Sequence, residues 1–248
     1  MVLKRYFIKL SYKGTNYNGW QVQPNGKTIQ GEINNVLTQL NHNTPVNIVG
    51  CGRTDTGVHA SAYYAHFDFY TIKDAKILIY KINSMLPKDI VIHDLFPINA
   101  DAHSRFDAIE RTYHYHIHTT KNAFINDTSM LFTQPLDIEK INNASQLLLT
   151  HNDFECFSKV KTDVSNFNCT VNKAEWHTTD NGYVFIISAN RFLRNMVRAI
   201  VGTLIEVGIG KQSIADFKII LESKNRNKAG KSVIPKGLFL ADVRYPYL

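Results

Sequence analysis

The sequence predicts an α/β protein of the α+β kind: two similar split β-α-β halves whose antiparallel sheets join around a basic cleft. Three observations predict it. Segments with apolar residues at helical spacing are interleaved with short period-2 or β-branched runs. The resulting order, strand–helix–strand–strand–helix–strand, is that of a split β-α-β unit, and it occurs twice. Turn residues rather than a long linker separate the elements. At 248 residues the chain can form two modest hydrophobic cores. The joint is expected between an N-terminal half, 1–105, and a C-terminal half, 106–248.

In chain order, Leu3 to Ser11 is β-prone and stops at Lys13-Gly14. Thr28 can cap a helix whose inward positions are Ile29, Ile33, Val36, Leu37 and Leu40. Val46 to Val49 is expected as a short strand, followed by a glycine-bearing loop over 50–57. Tyr63, Ala65, Phe67 and Phe69 alternate with Tyr64, His66 and Asp68, the signature of a strand with one apolar face. A helix over Asp74–Leu86 and a strand over Ile90–Phe96 complete the first half. The second half offers a strand at Thr112–Thr119, a helix near Ile138–Leu149 and a hairpin of Lys173–Thr179 with Tyr183–Ala189 around Asp180-Asn181-Gly182. A helix from Arg191 follows, then one from Ser213, where Asp216 three residues on suggests a capping box. The last strand is expected at Leu238–Tyr245, and the polar run 223–228 reads as a basic surface loop that could touch phosphates, with a solvated role expected first.

Composition narrows the function classes. No apolar stretch approaches the roughly 18–20 residues of a membrane-spanning helix, so no membrane partner is expected. The first residues lack the charged-then-apolar layout of a signal peptide, which makes the cytoplasm the expected compartment. Three cysteines, Cys51, Cys156 and Cys169, are odd in number and never form a C-x-x-C pair. Buried free thiols are expected, not a disulfide framework or a zinc site. Lysine and arginine total 28 against 21 acids, a net charge of +7, which favours a polyanionic partner.

Three places can carry chemistry. In Gly52-Arg53-Thr54-Asp55-Thr56-Gly57-Val58-His59-Ala60, two glycines bracket a turn able to present Asp55 outward. Arg53 and Thr54 beside it could keep the carboxylate ionised and oriented, although an aspartate in such a turn is more often a turn former. His114, His116 and His118 share one face of their strand, opposite Tyr113, Tyr115 and Ile117. No acid or cysteine at ligand spacing accompanies them, so a solvated face, in reach of RNA, is expected rather than a metal site. Arg191, Arg194 and Arg198 fall on one side of the predicted helix, opposite a broad apolar side. Spacing alone leaves open whether they line a cleft facing phosphate or carboxylate, or simply meet solvent.

The nine-residue string resembles, without departure, the active-site signature of the tRNA pseudouridine synthase A family. Further blocks follow in the family's order. They are Tyr12-Lys13-Gly14 with Gly19-Trp20-Gln21-Val22-Gln23, His103-Ser104-Arg105-Phe106-Asp107-Ala108 and Arg111-Thr112-Tyr113-His114-Tyr115. Asp153-Phe154 with Phe157, the run from Asn190 to Arg198, and Ile234-Pro235 with Gly237-Leu238 complete them. Ser104 and Ile234 stand where the resemblance leads one to expect alanine.

The resemblance implies an isomerase that breaks the uridine C1′–N1 bond, turns the base and joins C5 to C1′, with no cofactor and no metal. It implies Asp55 as the catalytic carboxylate, Tyr113 as the aromatic face for the flipped base, and Arg198 as the partner of Asp55 across the cleft. Arg53 would hold the flipped nucleotide or fill its gap, with Arg191 and Arg194 as further substrate-binding groups. The implied partner is the anticodon stem-loop of tRNA at positions 38, 39 and 40, and the implied assembly is a homodimer. Positive charge developing at C1′ is what an ionised carboxylate can stabilise or trap. A non-catalytic tRNA-binding or chaperone protein on the same scaffold, and a metal-dependent hydrolase built on the histidine strand, are the competing readings.

Overall fold

Alternation of apolar and polar side chains builds the first sheet. A computed structural model of the protein describes residues 3–160 and 166–248. Two compact units emerge, residues 1–109 with 240–248, and residues 110–239. The first contains β1 (Leu3–Tyr12), α1 (Ile29–Leu40), β2 (Val49–Gly50), β3 (His59–Tyr70), α2 (Ala75–Met85) and β4 (Ile90–Pro97), in the order expected from the sequence. β1 pairs antiparallel with both β3 and β4. Tyr6, Phe7 and Ile8 are buried in succession, so both faces of β1 are covered at its centre. Thr28 and Asp74 cap their helices, accepting from the backbone N–H of Gly31 and Ile77.

The expected strand at Val46–Val49 is cut down to Val49–Gly50. Side chains of α1 take the backbone groups that a strand partner would have used. Thr38 Oγ1 accepts from Val46 N at 3.1 Å, Asn34 Oδ1 accepts from Ile48 N at 2.9 Å, and Gln30 Nε2 donates to the Ile48 carbonyl at 2.7 Å.

His66 departs from the polar face that alternation assigns it, and is buried. Its Nδ1 accepts the Ser104 backbone N–H at 3.1 Å and lies 2.9 Å from the Ser104 hydroxyl. That hydroxyl donates to the Val49 carbonyl at 2.7 Å, and Tyr245 donates to the Ser104 carbonyl at 2.5 Å. Serine in place of alanine at 104 therefore supplies a buried hydroxyl that satisfies the Val49 carbonyl.

Burial first, then the charges of Arg5 and His103, pushes His66 down to about 4 from its ordinary 6.5. The folded chain holds this imidazole neutral where an unfolded chain would protonate it. Its contribution is thus complete above about pH 6.5 and is lost as pH falls toward 4. Urea melts at pH 7.5 and 4.5 should differ by on the order of 2–3 kcal/mol more in the wild type than in His66→Gln. An equal difference in both proteins would show that the acid sensitivity lies elsewhere, for instance at His103, which is shifted the same way.

The second unit contains β5 (Glu110–His118), β6 (Met130–Leu131), α3 (Ile138–Gln146), β7 (Val171–Thr179), β8 (Gly182–Ala189), α4 (Met196–Gly208) and α5 (Ile214–Glu222). β8 lies between β5 and β7, antiparallel to each, while the short β6 runs parallel to β5. α4 is buried along nearly its whole length, as an all-round apolar sequence requires, and α3 and α5 pack against it. The capping box of α5 forms between Ser213 and Asp216. β9 (Leu238–Arg244) closes the order, its residues from Leu240 onward belonging to the first unit beside β3. All three cysteines are buried free thiols, and burial pushes Cys156 up to about 12 and Cys169 to about 11.

Three expectations in this unit need correction. α4 begins at Met196, not Arg191, because Asn195 adopts a left-handed φ of 67° that interrupts helical geometry. The run 223–228 is not merely solvated. Lys224 pairs with Asp153 at 2.7 Å, and Arg226 donates to the Ala229 and Gly230 carbonyls and to Ser232 Oγ. The histidine face of β5 is not solvated either: His114 and His116 are half-buried and His118 is buried.

Candidate active site

The string 52–60 folds as a tight connection from β2 into β3, with Thr54, Val58, His59 and Ala60 buried. Thr54 is buried and its hydroxyl pairs with Tyr12 Oη at 2.8 Å, so it fixes the loop from beneath. The Thr54 carbonyl accepts from Trp20 N at 3.3 Å, and Gly57 N donates to the Tyr17 carbonyl at 3.3 Å. The Asp55 carbonyl accepts from Val58 N at 3.1 Å, closing the turn, and Gly57 has a φ of 77°. Asp55 is left half-buried and Arg53 exposed. Gly52 has no such conformational demand: a Cβ there would meet nothing within 4 Å.

An aromatic layer supports the loop, and the sequence reading missed it. Trp20 stacks on Tyr63 with ring centroids 4.1 Å apart, and Tyr12 meets Tyr63 edge-on at 5.5 Å. The Tyr63 hydroxyl donates to the Gly52 carbonyl. His59 Nδ1 accepts the Gly14 backbone N–H at 3.0 Å, which ties the end of the string to the Tyr12-Lys13-Gly14 block. Gly19, with a φ of 81°, lets its segment approach so closely that a Cβ would lie 2.3 Å from the Thr54 carbonyl oxygen. The blocks 12–14 and 19–23 thus form the bed of the Asp55 loop. Their glycines and aromatics were visible in the sequence, but nothing in it said which surface they faced.

The remaining predicted residues belong to the second unit. Tyr113 is half-buried on β5 with Phe192 edge-on at 5.1 Å. Arg198 lies in the first turn of α4, where its Nε donates to the Val233 carbonyl at 2.7 Å and Val233 N returns a bond to the Arg198 carbonyl at 3.1 Å. Its charge is felt by Tyr115, on the same face of β5 as Tyr113; burial is the larger influence and pushes that phenol up. Tyr115 donates to the Ile234 carbonyl at 2.8 Å, so position 234 acts through its backbone.

Arg191 and Arg194 precede the helix and do not share a helical face with Arg198. Asn190 Oδ1 accepts from Thr170 N and Arg191 N, both at 2.8 Å, which folds this stretch as a turn. Arg191 Nη1 donates to Asn166 Oδ1 at 3.3 Å, and Arg194 is exposed. Among the described residues no group of three or more histidine, cysteine, aspartate or glutamate side chains is placed to hold a metal ion. Among the same residues no helix is long and apolar enough to cross a membrane.

The family model described as "tRNA pseudouridine synthase" matches residues 144–246. A curated tRNA pseudouridine synthase A from Parabacteroides distasonis is 49% identical over 245 residues, covering 98% of this chain and 97% of that protein. A namesake from Bacteroides fragilis is 48% identical over 99% of this chain and 98% of its own length. One from a Geobacillus species is 38% identical over 98% of both. Identity at that level over nearly the full length, together with an intact Asp55 loop, places the chain in the tRNA pseudouridine synthase A family, isomerases that convert uridine to pseudouridine in tRNA.

Proposed function

We propose that this protein isomerises uridine at positions 38, 39 and/or 40 of the tRNA anticodon stem-loop, with Asp55 as the catalytic carboxylate. The observation that supports this most is the Asp55 loop: a turn fixed through Thr54, Trp20 and Tyr63 carries the half-buried Asp55. A preorganised anion meets the demand of glycosidic cleavage, where positive charge grows at C1′. The C1′–N1 bond breaks, the base turns, C5 bonds to C1′, the proton on C5 leaves and N1 gains one. Composition is unchanged, and the net reaction consumes no redox equivalent or external group.

A uridine in a stem must leave its stack before this chemistry can start, and an extruded base needs an aromatic surface. Tyr113 offers one. Arg53, Arg191, Arg194 and Arg198 are the cations assigned to the nucleotide and its flanking phosphates. The working form is a cytoplasmic homodimer, which light scattering can check as a mass twice that of the chain.

The direct test is incubation with unmodified tRNA transcripts, followed by carbodiimide treatment and primer extension. Stops at positions 38 to 40 are the expected result. Absence of product on every tRNA tried would refute the assignment, and stops confined to other positions would refute its regional part.

A further inference from the structure

We propose that an open pocket in the second unit, beside the start of α4, binds a backbone phosphate of the tRNA outside the group of residues assigned to the reacting nucleotide. The pocket has a volume of about 480 Å³ and is lined by Lys159, Asn195, Arg226, Asn227 and Lys231, with Val160, Ala229 and Gly230 completing the wall. Among the described residues, three of the lining side chains are cations and none is an acid. Of the acids nearby among the described residues, Asp153 pairs with Lys224 at 2.7 Å and Glu155 also acts on Lys224. The Asn227 carboxamide adds hydrogen-bonding capacity, so the lining suits an acceptor-rich anion far better than a cationic ligand.

The pocket is also built, not incidental. The Arg226 guanidinium is fixed by the Ala229 and Gly230 carbonyls at 3.3 and 3.1 Å and by Ser232 Oγ at 2.9 Å. Ser232 Oγ in turn accepts from Asn195 Nδ2 at 2.6 Å, joining the two walls. Gly230 N donates to the buried Thr203 hydroxyl of α4 at 2.9 Å, and a Cβ at Gly202 would lie 1.9 Å from the Lys231 carbonyl oxygen. The segment that carries Lys231 is therefore pressed onto α4, while its side chain is on an exposed residue. Asn195 spends its side chain on Ser232 and makes no side-chain cap for α4, so the positive end of the helix dipole adds to the same field.

This inference rests on tRNA being the substrate, and the experiment separates the two. Lys231→Ala and Lys159→Ala are assayed for pseudouridine formation at several KCl concentrations, with thermal melts to verify folding. Each is expected to raise KM about 3–10-fold with kcat unchanged, and to flatten the slope of log affinity against log salt by about one, as for one lost phosphate contact. Lys231→Arg should retain wild-type KM. Unchanged KM and slope in both alanine variants would overturn the pocket while leaving the enzyme assignment intact. A fall in kcat alone would overturn it too, by tying the pocket to the chemical step. No activity in any protein would instead defeat the tRNA reading. Sodium phosphate is the last arm: if it stabilises the wild type beyond equal ionic strength of chloride, Lys231→Ala abolishes that gain and tRNA KM is unmoved, the ligand is the free ion and the proposal fails.

Discussion

Asp55→Asn is expected to abolish pseudouridine formation, by at least about 10³-fold in kcat, while leaving tRNA affinity within about threefold of wild type. Asparagine keeps the shape of aspartate and can occupy the same turn, because Thr54, Trp20, Gly57 and Tyr63 hold the loop in place. What is lost is the negative charge that answers the developing charge at C1′, and with it any nucleophilic oxygen. Single-turnover assays with saturating enzyme, paired with filter binding, separate the two quantities. Substantial residual turnover would exclude Asp55 as the catalytic group. Lost binding would instead give it a role in holding RNA.

Gly19→Ala carries the second large effect, and it acts from outside the catalytic string. The backbone at Gly19 has a φ of 81°, a region that costs an alanine on the order of 1–2 kcal/mol. Its methyl group would also start 2.3 Å from the Thr54 carbonyl oxygen, which is backbone and cannot swing aside. Relief requires the 19–20 segment to move off the loop, weakening the bond from Trp20 N to that carbonyl. A shift of about 1 Å in the residue preceding Asp55 can reduce kcat by about 10²-fold. Activity is expected to fall by that order, with a modest loss of melting temperature. Wild-type kcat in Gly19→Ala would show that the loop holds its geometry without this contact.

Both substitutions bear on the same loop, yet they differ in how far the sequence reveals them. Asp55 can be singled out by its string. Gly19 can be quoted in a motif, but its purpose depends on a carbonyl 35 residues away in the chain and cannot be inferred from local spacing. His66 is a parallel case. Period-2 alternation assigns it to the polar face of β3, but a serine from residue 104 and the Val49 carbonyl make the buried position tolerable.

Local patterns by themselves determined the strand and helix order of the first unit, the caps at Thr28 and Ser213, the hairpin at 180–182 and the turn that carries Asp55. These features depend on neighbours within about four residues, where side-chain periodicity and capping chemistry act directly. Only the tertiary structure decided the rest. It shortened the strand at 46–49, because α1 side chains satisfy its backbone. It moved the start of α4 past Arg191 and Arg194, because Asn195 is left-handed and bound to Ser232. It turned the basic run at 224–226 into a structural clamp through Asp153 and Ser232. In each case the deciding partner lies beyond the four or so residues that local periodicity spans, and a polar group goes where it can be satisfied rather than where the local period would send it.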